Sequence, residues 1–140
     1  MGFEWTEDLA TGVADIDDQH RELITRVNAL LDACNQQKEQ EEIGKYLAFL
    51  REYVAYHFAA EERTMTEAGY PGLGPHEREH EEFKVRVNDL FRSQASRRAS
   101  LPTLIMTIRS SCDWMVTHIM KTDKAMAEFL KAKGITVHLT

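Results

Sequence analysis

A chain of 140 residues with 43% hydrophobic content and interspersed charges has the composition of one globular domain, residues 1–140, with a single core. A formal net charge of -6 argues against nucleic acid or an anionic membrane surface as a partner. No apolar run has the length that spans a bilayer and no leading segment resembles a signal peptide, so a cytoplasmic protein is expected.

Only three prolines and seven glycines interrupt the periodic segments, which predicts an all-α fold. Residues 1–16 lack helical periodicity, and Phe3, Trp5, Leu9, Val13 and Ile16 are spaced as in an extended N-terminal arm laid over a bundle. Asp17 reads as the N-cap of a first helix spanning roughly 17–35, with Asp18 in its first turn complementing the helix dipole. Its apolar stripe is Leu23, Ile24, Val27, Leu30, Leu31 and Cys34, and a step of three back from Leu23 reaches His20. A histidine on such a face is, by itself, more often a satisfied core residue than a ligand.

The polar run at 35–42 leads into a second helix over roughly 40–68, closed by Gly69 and Pro71. Its stripe runs Ile43, Leu47, Leu50, Val54, His57, Glu61, Met65 and Ala68. The segment GYPGLGP at 69–75 cannot continue a helix, and Pro75 suits the first turn of a third, spanning roughly 75–92. There the stripe is His76, His80, Phe83, Val87 and Leu90. A polar loop at 92–100 ends at Ser100, and a fourth helix over roughly 101–133 carries the stripe Leu101, Leu104, Ile105, Ile108, Cys112, Met115, His118, Ile119, Thr122, Met126, Phe129 and Leu130 before Gly134. The tail ITVHLT is strand-like but isolated. Cys34 and Cys112, both on apolar stripes, are expected to be buried reduced thiols.

Four amphipathic helices with short connections predict an up-down-up-down bundle. In that topology His20, the His57/Glu61 pair, the His76/His80 pair and His118 all fall toward one end. Each pair is spaced by four, which places both side chains on one helix face about one turn apart. Imidazoles and a carboxylate therefore occupy core positions, which is costly unless they are paired or bind a metal. A metal site inside the bundle is the expected solution.

The pattern H20…H57-x3-E61…H76-x3-H80…H118-x4-D123, with WTEDLATGVADIDDQH at the N-terminal end, resembles the hemerythrin family, and the single-domain bacterial members in particular. The resemblance implies a non-haem di-iron centre that binds dioxygen reversibly, for carriage, storage or sensing, in a protein that is not an enzyme. By it, His76, His80 and His118 hold one iron, His20 and His57 hold the other, and Glu61 and Asp123 bridge them together with an oxo or hydroxo group. One iron then has six ligands and the other five, which leaves one position for dioxygen. Met115 takes the place of the bulky apolar residue that lines the family's oxygen pocket, where leucine is more usual. The sixth histidine, His138, has no part in this set. No protein partner can be read from the sequence.

Two rival readings share the same residues. His76-Glu77-Arg78-Glu79-His80 matches H-E-x-x-H, the zinc metalloprotease pattern, with Glu77 as the general base. That reading leaves His20, His57, Glu61, His118 and Asp123 unexplained. A ferritin-like di-iron oxidase uses two Glu-x-x-His motifs, and only Glu77-x-x-His80 fits. One spacing carries a backbone expectation of its own. His118 and Asp123 are five apart, about 140° out of line on a regular helix at roughly 100° per residue. If both reach one site, a π-type widening is expected between Met115 and Asp123.

Overall fold

The computed structural model describes residues 3–97 and 100–137. Its helices are α1 (Ala14–Asn35), α2 (Gln40–Ala68), α3 (Leu73–Ala95), α4 (Leu101–His118) and α5 (Lys124–Ala132). A five-residue π turn, Ile119–Asp123, joins α4 to α5 as one continuous rod, so four rods make the bundle. Neighbouring rods pack in chain order, and α4 returns to α1 to close the ring. No strand occurs among the described residues. Nor is any of their helices long and apolar enough to cross a membrane.

The arm differs in detail from an extended segment. It contains a short 3-10 turn at Glu7–Leu9, and Leu9 is buried under it. Asn28 of α1 grips the backbone of Phe3 from both sides, accepting from its N–H and donating to its C=O, both at 2.7 Å. The Arg21 guanidinium lies over the Trp5 ring at 4.5 Å.

Asp17 is not the N-cap of α1. The helix begins at Ala14, and Asp17 lies one turn inside it. Its carboxylate reaches back to accept from the Thr11 N–H and hydroxyl, each at 2.8 Å, and from the Gly12 N–H at 3.3 Å. Gly12 has a φ of 84°, a left-handed turn in which glycine carries no steric penalty. The acidic residue thus does a cap's work on the loop ahead of the helix.

Two helix ends also move. The third helix runs past Arg92 to Ala95 because the Gln94 amide is buried against the start of α2, where it donates to the Gln40 carbonyl. Gly44 leaves room for it, since a Cβ there would meet Gln94 Oε1 at 2.8 Å. The fourth segment, expected as one helix over 101–133, is divided by the π turn. There the Lys124 N–H bonds to the Ile119 carbonyl, five residues back. The widening expected from the His118–Asp123 spacing is present. The end of α2 follows its sequence signals, with Gly69 in a left-handed cap at φ 68°.

Buried apolar residues form two clusters rather than one. The larger holds Leu23, Val27, Leu31, Leu47, Val54, Phe58, Phe83, Ile108, Met115 and Ile119, among others. The smaller holds Ile16, Ala60, Met65, Met126, Ala127, Leu130 and Val137. A polar layer lies between them: His20 stands between Ile16 and Leu23 on α1, and Asp123 between Ile119 and Met126 on the fourth rod. Cys34 and Cys112 are buried free thiols in the larger cluster, and burial pushes the Cys112 thiol up to about 12.

Candidate metal centre

The polar layer contains His20, His57, Glu61, His76, His80, His118 and Asp123, each at most 3% exposed. Four rods contribute: His20 from α1, His57 and Glu61 from α2, His76 and His80 from α3, and His118 with Asp123 from either end of the π turn. Their ligand atoms fall into two groups, within 4.8 Å of one another in each. One group is Glu61, His76, His80, His118 and Asp123; the other is His20, His57, Glu61 and Asp123. Both carboxylates belong to both groups.

The individual oxygens make that sharing directional. Glu61 Oε2 faces His20 Nε2 at 3.5 Å and His57 Nε2 at 3.0 Å, while Oε1 faces His76 Nε2 at 3.6 Å and His80 Nε2 at 3.2 Å. Asp123 Oδ2 faces His20 Nε2 at 2.9 Å, while Oδ1 faces His76 Nε2 at 2.9 Å and His118 Nε2 at 3.1 Å. Each carboxylate therefore turns one oxygen to each set of rings.

These separations bring the atoms close without hydrogen-bond alignment. Both oxygens of Glu61 and of Asp123 lack a hydrogen-bond partner, as do the Nε2 atoms of His20, His76, His80 and His118. Buried polar atoms left this way are costly, so a cluster of them calls for something to which all can turn their lone pairs. The residues present fit a pair of cations. Imidazole and carboxylate together suit iron and its neighbours in the first transition row.

Outer partners set the rings. His57 Nδ1 lies 2.6 Å from Gln19 Oε1, His80 Nδ1 2.7 Å from Glu62 Oε2, and His118 Nδ1 2.9 Å from Glu79 Oε1. When Nδ1–H donates outward to these acceptors, Nε2 turns its lone pair toward the cluster. Aromatic stacking holds the same planes. Phe58 stacks on His80 with ring centroids 3.8 Å apart, and Trp114 stacks on His118 at 5.3 Å. Sequence reasoning missed Gln19, Glu62 and Glu79. All three bond across to a ring on another helix, and no local spacing marks them. Met115 is buried in the larger cluster, three residues before His118. Glu77 of the H-E-x-x-H pattern is half-buried and joins neither group. His138 lies outside the described residues.

Burial alone would raise Glu61, but the imidazoles of His57, His20 and His76 outweigh it and hold the carboxyl well below the usual range. Burial and the nearby Glu61 charge both work against Asp123 in the same way, and His118 and His20 overcome them. Burial by itself would lower His20 and His76, yet contacts with Asp123 and Glu61 raise them to about 10 and about 9.

A raised folded pKa means that the protonated ring stabilises the fold. That contribution is complete below the ordinary 6.5 and is lost as pH rises through about 9 to 10. The metal-free protein is expected to melt at a lower temperature at pH 10 than at pH 6. Cation binding needs unprotonated Nε2, so loading at neutral pH is expected to release protons, measurable in weakly buffered solution. A pH-independent melting temperature between 6 and 10 would contradict the pairing.

An all-helical bundle with a histidine-rich, carboxylate-shared cluster at one end defines a metal-binding bundle protein of the di-metal kind. The sequence profile of the hemerythrin HHE cation binding domain matches residues 11–130. Bacteriohemerythrin of Stenotrophomonas maltophilia is 36% identical over 91% of this chain and 81% of its own length. Bacteriohemerythrin of Methylococcus capsulatus is 35% identical over 91% of this chain and 96% of its own. A crystal structure of wild-type hemerythrin superposes with a TM-score of 0.83 at 34% identity, covering 91% of this chain and 97% of that one. The chain belongs to the hemerythrin family.

Proposed function

We propose that this protein binds dioxygen reversibly at a di-iron centre held by His20, His57, Glu61, His76, His80, His118 and Asp123. The observation that carries the reading is the sharing of both carboxylates, each with one oxygen toward His20 or His57 and the other toward the His76, His80 and His118 rings. Two ferrous ions, when bound, supply the electrons that dioxygen binding draws on. Glu61 and Asp123, which belong to both groups of donors, would hold both ions, and their two negative charges would offset part of the ions' charge inside the bundle.

The ring count is unequal. One group has three imidazoles and the other two, so the His20/His57 side is a donor short and is where an outside ligand finds its place. Apolar side chains stand around the cluster and keep water from it: Phe58 against His80, Trp114 against His118, and Met115 and Ile119 in the adjoining core. Met115 lines the dioxygen space in this reading, and its thioether is oxidisable. Exclusion of water favours holding dioxygen over turning it over, so the protein is a binder and not an enzyme. Its two buried thiols and the lack of a membrane-crossing helix among the described residues support a cytoplasmic site of action.

Anaerobic reconstitution with Fe(II) followed by exposure to dioxygen tests this. The expected result is a nearly colourless protein that gains a visible charge-transfer band in air and loses it when dioxygen is removed. Steady consumption of dioxygen with no recoverable colourless form would replace the binder with an oxidase.

A further inference from the structure

The π turn does not stand by its own hydrogen bonds alone. Glu79, on α3, takes hydrogen bonds from both of its ends. His118, the residue before the turn, donates from Nδ1 to Glu79 Oε1 at 2.9 Å. Thr122, four residues on and inside the turn, places its hydroxyl across both Glu79 oxygens, at 2.8 and 2.9 Å. One side chain on a neighbouring helix thus grips the turn at two points.

The turn is where the cluster is made or lost. On a regular helix His118 and Asp123 would diverge by about 140° at roughly 100° per residue, and Asp is too short to make up the difference. The extra residue in the turn brings Asp123 Oδ1 to 3.1 Å from His118 Nε2. We propose that Glu79 and Thr122 are positioning residues, a clamp from α3 that keeps the π turn of the fourth rod wide and so keeps Asp123 in the metal cluster. Neither side chain reaches into the cluster; they act through His118 and the backbone. The consequence for iron rests on the di-iron reading above, whereas the consequence for the backbone does not.

Amide hydrogen exchange on the metal-free protein and iron content on the reconstituted protein test the clamp together. Thr122→Val keeps the branched shape of a half-buried side chain and removes only the hydroxyl. Exchange at 119–124 is expected to quicken about tenfold or more while α2 is unchanged, and iron affinity to fall by roughly 10–100-fold, as when other outer partners are removed. Thr122→Ser, which restores the hydroxyl, is expected to behave as wild type. Glu79→Gln, which leaves one acceptor oxygen for two donors, is expected to loosen the same segment. Wild-type exchange in Thr122→Val, or equal loosening in Thr122→Val and Thr122→Ser, would overturn the clamp. A wild-type protein that takes no iron while Thr122→Val still loosens 119–124 would sink the di-iron reading and leave the clamp standing.

Discussion

Glu61→Ala is expected to remove both metal ions, not one. The side chain is fully buried and each of its oxygens faces a different set of rings, so its loss takes a donor from both groups at once. What remains is an excess of positive charge inside the bundle with a single carboxylate, Asp123, to offset it, and uncompensated buried charge is strongly destabilising. Affinity should fall well beyond the roughly 10–100-fold typical of outer partners. His20→Ala is the control, because it takes a ring from one group only. Metal analysis after identical reconstitution should find almost none in Glu61→Ala and a partial load in His20→Ala. Equal loads in the two variants would contradict a bridging role for Glu61.

Phe83→Ala carries the largest expected loss of fold stability. The ring is 1% exposed and lies in the larger cluster, edge-on to Phe58 with centroids 6.0 Å apart and stacked on Trp114 at 5.3 Å. Removing it deletes a large apolar group and leaves a cavity that fixed helices cannot close, a cost of about 3–5 kcal/mol. The damage should spread toward the site, since Phe58 stacks on His80 and Trp114 on His118. Urea denaturation should show a lower midpoint with an unchanged slope. Phe49→Ala, at a ring 55% exposed, should change stability by no more than about 0.5 kcal/mol. A Phe83→Ala midpoint matching that of Phe49→Ala would show that the core does not depend on this ring.

The bundle was readable because the helices carry their apolar stripes at regular steps and the turns between them are dense in glycine and proline. The cluster was readable for a related reason. His57 with Glu61, and His76 with His80, sit on stripes where apolar residues belong, and a polar residue on a core stripe needs a partner. The π turn was readable from one awkward spacing, His118 to Asp123, which a regular helix cannot serve. What escaped was non-local. Gln19, Glu62 and Glu79 each hold a ring on another helix, and nothing in their own segments marks them. Asp17 has the chemistry of a cap but uses it one turn late, on Thr11 and Gly12. The end of α3 was misjudged because Gln94 is polar, and a polar residue reads as the start of a loop unless its docking site beside Gly44 is known.

The most direct test of the central claim is the metal stoichiometry of the protein reconstituted anaerobically with Fe(II) and freed of excess metal. Two groups of converging donors that share both carboxylates predict two iron ions per chain, taken up together. One metal ion per chain, or zinc retained in preference to iron after reconstitution, would contradict it.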